Sequence, residues 1–499
     1  MKMSLYKHSL KRVIAIALAL TPIACDDFLD TPIQGKLLSQ NFPVSADDAL
    51  SATNGVYNML RNGSFNFGLF PIMDIMSDDA RKGSNPTDAA PTIGPYDSFT
   101  HVATEESISS WWNALYEGIK RANVVIEKIP VIDMDEDMKS RYIAEAKFLR
   151  ALFYFDLVRA WGDVPKVTTV ETPTGLGRTP ASEIYSFIVE DLLAAIDVLP
   201  EKSDYPAADL GRATKGAAKA LLGKVYLYQQ DYTNAEKYLM EVIQSNQYDL
   251  MPNFEEANSV AGEFGVESVF EVGAIGVEGL ENGGGQYANV QGVRGKPNRG
   301  WGFNRPSLDL MATFEDDDPR AGLTVIYLGE VLDGVTIVGD LNTPDETRDA
   351  SNNLVEIECY NQKVWTPGDN VPTQWNYNRR LIRYADVLLM AAEVLNHNGK
   401  DADALEYLNR VRERARGGDD SILPDISATG TELADAIFQE RRVELALEGH
   451  RFWDLVRTGR AEAVLGPLGF KKGKHEFLPI PQVEVDLSQG SIQQTDAWK

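Results

Sequence analysis

Cysteine and positive charge are both scarce in this sequence. Its 499 residues include only two cysteines, Cys25 and Cys359, which excludes a disulfide-stapled scaffold. Lys and Arg number 48 against 74 Asp and Glu, so the formal net charge is −26. Because nucleic-acid binding requires a basic face and docking on anionic lipid requires a polybasic patch, this charge balance argues against both kinds of partner.

Long hydrophobic runs are also missing, and the mean hydropathy of −0.25 excludes a multi-span membrane protein. The apolar run at residues 13–20 is too short to cross a bilayer. It follows several basic residues and precedes Ala24 and Cys25, which is typical of a lipoprotein signal that is cleaved before the cysteine. An ordinary signal peptide with a chance cysteine is the alternative. We predict a signal peptide over residues 1–24, lipidation of Cys25 and one mature domain over residues 25–499.

Motifs for catalysis or metal binding are absent as well. The five His residues are far apart, and neither His-x-x-x-His nor Cys-x-x-Cys spacing occurs. The sequence contains no Gly-x-Ser-x-Gly elbow, and the glycine-rich stretch at residues 211–216 lacks the Lys-Ser/Thr of a phosphate loop. The acidic triplet at residues 316–318 has the oxygen ligands that Ca²⁺ prefers, but its position before Pro319 favours a solvated turn. The sequence therefore predicts no cofactor and no metal.

Three carboxylates near the C-terminus share one face of a predicted helix. Glu440, Glu444 and Glu448 are spaced four residues apart, and a pair of catalytic acid/base carboxylates is one interpretation of this spacing. Arg441, Arg442 and Arg451 are interleaved at distances that allow pairing. This pattern favours a structural helix with salt bridges along it, so we predict that the protein is not an enzyme.

Apolar spacing predicts helices over most of the chain outside two regions. Ser45 and Ser182 are the predicted caps of two of them. The predicted ranges are residues 46–61, 108–129, 136–161, 182–199, 215–229, 234–244, 383–396, 402–414 and 433–457.

Two of the helical pairs have the spacing of tetratricopeptide repeats. Gly223, Tyr226 and Ala235 follow the pattern of a small residue, an aromatic residue and a second small residue. Ala392, Leu395 and Ala404 are in the equivalent places of the later pair. Since such repeats must stack to be stable, we predict a mainly α fold of about eight helices in a tetratricopeptide-like scaffold, with long irregular loops and a few short strands.

The two regions without helical periodicity are residues 62–107 and 247–380. Both are rich in Gly, Pro and Asn with scattered aromatics, and the second contains short β-like runs at residues 267–272 and 323–327. Loops on a rigid scaffold commonly carry binding residues, whereas the alternative is that these aromatics pack small cores of their own.

Residues 438–457 (FQERRVELALEGHRFWDLVR) resemble the signature of the SusD/RagB family. Other stretches agree in order along the chain: residues 25–30, 112–123, 145–165, 318–320, 382–389 and 477–482. The resemblance implies an outer-membrane, surface-exposed lipoprotein that binds glycan and works with a SusC-type TonB-dependent transporter. Because some members of the family serve peptide uptake, a peptide ligand is the alternative. A glycoside hydrolase and a tetratricopeptide-type adaptor are further alternatives that the sequence favours less.

The two loop regions also contain the groups that a sugar ligand needs. Exposed aromatics stack on sugar rings, and Asp, Asn and Arg bind hydroxyls. We predict Trp301 as the central residue, because Gly300 and Gly302 beside it would let a sugar approach closely; a buried plug is the alternative. Trp111 is predicted to be exposed next to a buried Trp112, since helix neighbours diverge by about 100°. The other candidate site residues are Tyr287, Trp375, Tyr96, Asp78, Arg81, Asn304, Arg305 and Trp365.

The anchor can be tested by replacing Cys25 with Ala. Without the thiol no lipid can be attached, so we expect the variant to move from the membrane fraction to the soluble fraction. Fractionation of the cells followed by immunoblotting measures this, with a Cys359→Ala variant as the control that stays with the membrane. A Cys25→Ala variant that stays membrane-bound to the same extent would contradict the anchor.

Overall fold

The computed structural model describes residues 42–275, 286–366 and 376–499. The elements below all lie within the compact unit Ser45–Lys499. Cys25 lies outside the described residues, so its lipidation stays a prediction. Within the described ranges, none of the helices has the length and apolar character needed to cross a bilayer.

Eighteen α-helices lie in the described residues. They are α1 Ala46–Tyr57, α2 Gly63–Met73, α3 Gly94–Asp97, α4 Glu106–Lys128, α5 Glu136–Trp161, α6 Ala181–Val198, α7 Lys215–Tyr228, α8 Tyr232–Gln244, α9 Phe254–Asn258, α10 Tyr287–Gln291, α11 Leu308–Met311, α12 Pro319–Thr324, α13 Tyr384–His397, α14 Asp401–Arg416, α15 Gly430–Glu444, α16 Arg451–Arg457, α17 Ala461–Leu465 and α18 Gln482–Leu487.

Ten short strands form five two-stranded antiparallel sheets in the same ranges. They are β1 Ala80–Gly83, β2 Ser268–Val272, β3 Phe303–Pro306, β4 Val325–Tyr327, β5 Val331–Leu332, β6 Val335–Thr336, β7 Glu346–Arg348, β8 Leu354–Ile357, β9 Cys359–Asn361 and β10 Arg379–Arg383. The pairs are β1 with β3, β2 with β10, β4 with β9, β5 with β6 and β7 with β8.

Eight long helices form a continuous array in which successive members pack together. The series runs from α4 through α8, continues with α13 after the long second loop region, and ends with α14 and α15, which both pack on α13. This arrangement confirms the predicted mainly α, tetratricopeptide-like scaffold. It also confirms that residues 247–380 are an insertion, because α8 packs directly on α13.

Small residues allow the close approach of helices in this array. A Cβ at Gly223 in α7 would lie 2.7 Å from Cγ of Leu239 in α8, and one at Gly118 in α4 would lie 2.5 Å from the Phe153 ring in α5. Ala235 is fully buried at the same α7–α8 contact. The glycine of the repeat pattern therefore has the packing role that its spacing predicted.

Three expectations about the helices are wrong. Residues 62–107 contain α2, which Asn62 caps by accepting a hydrogen bond from the Ser64 backbone; Phe65, Leu69 and Ile72 of this helix are buried, although Gly and Pro lower its helix propensity. The fourth helix begins after Pro180, with no side-chain cap from Ser182. The predicted last helix is two helices, because the chain between α15 and α16 turns at Leu447 and Gly449, which both have positive φ.

The three C-terminal carboxylates pair with cations outside their own helix. Glu444 pairs with Arg320 at 3.3 Å, with Arg383 at 3.1 Å, and closely with Arg414. All of these side chains are almost fully buried. The predicted structural role is confirmed, but the pairing within one helix is not, because the cations come from α12, β10 and α14.

Glu448 extends this buried cluster into the second loop region. It pairs with Lys363 at 2.7 Å and with Arg383 at 2.7 Å. Burial alone would raise the pKa of Glu448, but the positive charges of Arg383 and Lys363 lower it to about 2. The carboxylate is therefore held ionised well below neutral pH.

The cations of the signature segment bind the first loop region. Arg442 pairs with Asp79 at 2.7 Å, and Arg451 pairs with Asp78 at 2.8 Å. Arg441 instead bonds Asp386 in α13 at 2.9 Å. The segment that ends α15 and begins α16 is therefore joined by buried ion pairs to the helical array and to both loop regions.

Replacement of Gly223 by Leu tests the helix contact. The added side chain would overlap Leu239, and we expect a loss of about 1–3 kcal/mol or more in the free energy of unfolding. Thermal melting of the variant measures this. Gly55→Leu is the matched control, since a Cβ at Gly55 in α1 meets nothing within 4 Å. Equal melting temperatures for the two variants would show that Gly223 is not at a tight contact.

The Glu448 pair predicts a specific dependence of stability on pH. Because the pKa in the folded state is about 2 against an ordinary value of 4.5, the stabilisation is present above about pH 4.5 and is lost as the pH falls towards 2. Glu448→Gln should therefore be less stable at pH 7, and its deficit should shrink on acidification. Urea titrations at pH 7, 4.5 and 3 measure this, with the exposed Glu136→Gln as control. A pH-independent deficit would contradict the pairing.

Candidate functional site

The two loop regions meet along one edge of the structure. Strand β1 of the first pairs with β3 of the second, with Gly83 opposite Phe303. Beyond this pair, the Ser84 backbone N–H donates to the Gly302 carbonyl at 2.5 Å, and the Asn85 side chain donates to the Asn342 carbonyl at 2.9 Å. The two regions are therefore in contact, while a ligand surface that they share stays a prediction.

Trp301 is half-buried at this junction. Its backbone N–H donates to the Asn289 carbonyl at 2.8 Å. A Cβ at Gly300 would lie 2.6 Å from that same carbonyl oxygen, and Gly302 has a φ of +72°. The two glycines are therefore required by the backbone itself, and not by a sugar as the sequence suggested.

Arg294 lies beside Gly302, the residue that follows Trp301, and was not predicted. Its Cβ is 3.0 Å from the position that a Cβ on Gly302 would take. Its Nε bonds Asp340 at 2.7 Å, and its Nη1 contacts Asp88 at 2.5 Å and Ser84 at 3.0 Å. About a third of the Arg294 side chain remains exposed. No motif marks these residues in the sequence, because they come from three separate loop segments that only the fold brings together.

Trp365 is half-buried further along the second loop region. Its ring packs against a small apolar cluster that includes Tyr360. Its indole N–H donates to Asp333 at 2.6 Å, and the Arg299 guanidinium lies 4.5 Å from the ring centre. One face of this ring is therefore already occupied by a cation. Trp375 lies outside the described residues.

Two predicted aromatics are buried instead of exposed. Trp111 is fully buried, with its ring 5.1 Å from that of Trp161. Because α4 packs against both α2 and α5, Trp111 and its neighbour Trp112 are both buried. Tyr96 is also fully buried and stacks on His101 at 5.1 Å. Neither ring is available to a ligand at the surface.

Tyr287 is buried too, at the start of α10. Its hydroxyl donates to the Leu447 carbonyl at 3.2 Å, and the Arg379 guanidinium lies 5.1 Å from its ring. Burial raises the pKa of Tyr287 above its ordinary value. The residue supports the turn after α15 and presents no face for stacking.

The predicted polar candidates are mostly engaged inside the protein. Asp78 bonds Arg451 in the buried cluster, and Arg305 is buried with Glu356 at 2.7 Å. Arg81 is only half-buried and contacts Asp309 at 3.4 Å. The Asp78 pair attaches the first loop region to the scaffold, and the other two pairs connect the loops. Because Asp78 and Arg305 are buried, the expectation that they face a ligand is wrong.

Asn304 supports the surface from below. It has a φ of +54°, and its side-chain amide donates to Asp74 at 3.0 Å and to Gln291 at 2.9 Å. Burial raises the pKa of Asp74 to about 7. Because Asn304 follows Trp301 by three residues and is itself buried, it orders β3 but cannot bind sugar hydroxyls directly.

The described residues contain no group of three or more His, Cys, Asp or Glu placed to hold a metal ion. In the acidic triplet, Asp318 is buried, caps α12 and bonds Arg320 at 2.9 Å. Asp316 and Asp317 are exposed in the preceding turn. The triplet is thus a helix start with a buried ion pair.

These features define an array of paired helices with an aromatic and polar surface on inserted loops. The model of the SusD family matches residues 267–498, and the model described as "Starch-binding associating with outer membrane" matches residues 77–227. SusD-like protein P2 of Formosa agariphila is 30% identical over 501 residues, which cover 95% of this chain and 97% of that protein. The chain belongs to the SusD family.

Solved structures of the same fold match this chain over nearly their whole length. A laminarin-binding SusD-like protein is 32% identical, with a TM-score of 0.76 over 91% of this chain and 99% of that one. Surface glycan-binding protein A from Bacteroides thetaiotaomicron, solved in complex with laminarihexaose, is 27% identical, with a TM-score of 0.76 over 90% and 99% of the two chains. The ligands named are those of the relatives.

Proposed function

We propose that this protein is a cell-surface lipoprotein that captures oligosaccharides and delivers them to a TonB-dependent transporter in the outer membrane. The single observation that carries the proposal is the half-buried Trp301 at the junction of the two loop regions, where the next residue, Gly302, lies against Arg294 and its partner Asp88. The glycan ligands of similar structures support it. The anchor is Cys25, and the transporter is the partner that the family implies.

The chemistry of this surface suits a sugar. An indole ring packs against the apolar C–H face of a pyranose, while a guanidinium and a carboxylate donate to and accept from hydroxyls. Asp340 and Ser84 hold the Arg294 guanidinium in place, and the Ser84 hydroxyl also donates to the Asp88 carboxylate at 3.3 Å. Binding of this kind requires no proton transfer.

We infer that the surface binds without catalysis. A glycoside hydrolase needs one carboxyl with a raised pKa close to a second carboxylate. Here burial alone would raise the pKa of Asp340, but hydrogen bonds from the Asn342 backbone and from Arg294 lower it. Asp88 contacts the same guanidinium. Asp340 is therefore an ionised acceptor and is not suited to act as a general acid.

Trp301→Ala is the direct test of the binding surface. We expect at least a tenfold loss of affinity for laminarihexaose, which corresponds to about 1.4 kcal/mol, with a melting temperature close to that of the parent protein. Isothermal titration calorimetry and thermal melting measure the two quantities. Tyr226→Ala, which removes a half-buried aromatic from the helical scaffold, is the matched control.

Three outcomes would contradict this proposal. A large drop in melting temperature for Trp301→Ala would show that the ring is a core residue and leaves a cavity when removed. Binding of a peptide library in place of any glycan would assign the protein to peptide uptake. Turnover of the oligosaccharide by the purified protein would show that it is an enzyme.

A further inference from the structure

We propose that the surface around Trp301 selects neutral oligosaccharides, and that Arg294 and Asp88 form the pair that reads their hydroxyls. This inference rests on the proposed function and adds the charge class of the ligand and the residues that determine it. It follows from the way in which cations are distributed and neutralised on this part of the molecule.

The Arg294 guanidinium is held by three partners but retains hydrogen-bond donors that are not engaged by them. Its Nε and Nη1 are held by Asp340, Asp88 and Ser84. Its Nη2 has no hydrogen-bond partner among the described residues, and 31% of the side chain is exposed. A donor that is already oriented loses little conformational entropy when it binds a ligand. Arg294 is therefore a preorganised donor that lies against Gly302, the residue after Trp301.

Asp88 supplies the matching acceptor. Its side chain is 38% exposed and touches Arg294, which is 31% exposed, at 2.5 Å, so the donor and the acceptor are adjacent and both are partly exposed. Neighbouring hydroxyls of a sugar can each donate and accept. A side-by-side donor and acceptor fits such a pair, and an analogue lacking either hydroxyl would leave a polar group unpaired, which is costly.

The positive charge of Arg294 is neutralised by its neighbours. Asp88 and Asp340 both form ion pairs with the one guanidinium. A carboxylate or sulfate on a sugar would have to approach both of these negative charges in order to reach Nη2. The pair therefore favours a hydroxyl and repels an anion.

The neighbouring cations are neutralised or saturated as well. Arg305 is paired with Glu356, and Arg81 with Asp309. The Lys82 ammonium donates to three backbone carbonyls within 3.0 Å. Arg299 covers the Trp365 ring and donates to the Thr366 carbonyl. None of these groups is available to balance an anionic ligand without losing an existing partner.

Lys296 is the exception on this side of the molecule. It is exposed and forms no ion pair with any described residue. A single solvated ammonium contributes little to the binding of a polyanion, and the net charge of −26 repels one at long range. Lys296 is nevertheless the group through which an anionic ligand would bind, so the test includes it.

The first experiment compares ligands of opposite charge class. Purified protein is titrated with laminarihexaose and with a guluronate hexamer of equal length, at about 50 and 300 mM salt. We expect binding of the neutral sugar with less than a twofold change between salt concentrations, and at least tenfold weaker binding of the uronate. Salt-sensitive binding of the uronate that Lys296→Gln abolishes would overturn this inference alone. Absence of binding to any glycan would overturn the proposed function as well.

The second experiment changes the charge balance of the pair. Asp88→Asn keeps the size of the side chain but leaves Arg294 with excess positive charge. We expect the affinity for laminarihexaose to fall at least fivefold, and the ratio of uronate to laminarihexaose affinity to rise at least tenfold. Glu346→Gln, which removes the partner of the exposed Arg348 in the β7–β8 hairpin, is the matched control and should change neither value.

A purely structural role for the pair gives a different result. In that case Asp88→Asn would lower the melting temperature while the affinity ratio of the folded protein stayed constant, and this outcome overturns the proposal. Arg294→Lys provides an independent check, because it keeps the charge but removes the planar fork. We expect the same loss of neutral affinity without any gain for the uronate; unchanged neutral affinity would contradict the role of Arg294.

Discussion

The structure depends on a buried cluster of ion pairs around the end of α15. Glu444 and Glu448 form ion pairs with Arg320, Arg383 and Lys363, which come from segments far apart in sequence. Replacing a whole buried pair by apolar residues can be neutral, but removing one partner costs about 3–5 kcal/mol because the other charge is left unpaired. Each loop that contributes a partner is therefore strongly held to the helical array at one position.

This constraint also determines what remains available at the surface. Charged side chains that appear useful for binding, such as Asp78 and Arg305, are used to attach the loops to the scaffold and to each other. Aromatics such as Trp111 and Tyr287 fill the interior beneath them. The half-buried Trp301 and the neutralised Arg294 remain at the junction of the two loop regions, where their positions are fixed by the backbone below.

Helical periodicity predicted most of the scaffold, because the apolar stripes of α4, α5 and the α7–α8 pair are repeated over several turns. It failed at α2 and after α15, where tertiary burial and a turn with positive φ outweigh local propensity. Trp111 was misplaced because a helix that packs against two neighbours buries adjacent positions such as Trp111 and Trp112, while its exposed face lies elsewhere. Arg294 and Asp88 were missed because their partnership links segments about 200 residues apart, which no local pattern reveals.

A crystal structure of the protein with laminarihexaose tests the central claim most directly. The account predicts a sugar ring packed on the Trp301 indole, with Nη2 of Arg294 and the Asp88 carboxylate each within hydrogen-bond distance of a hydroxyl, and with the Arg294 contacts to Asp340 and Ser84 unchanged. Ligand bound at another surface, or a binding mode in which Arg294 leaves its carboxylates to meet the sugar, would contradict it.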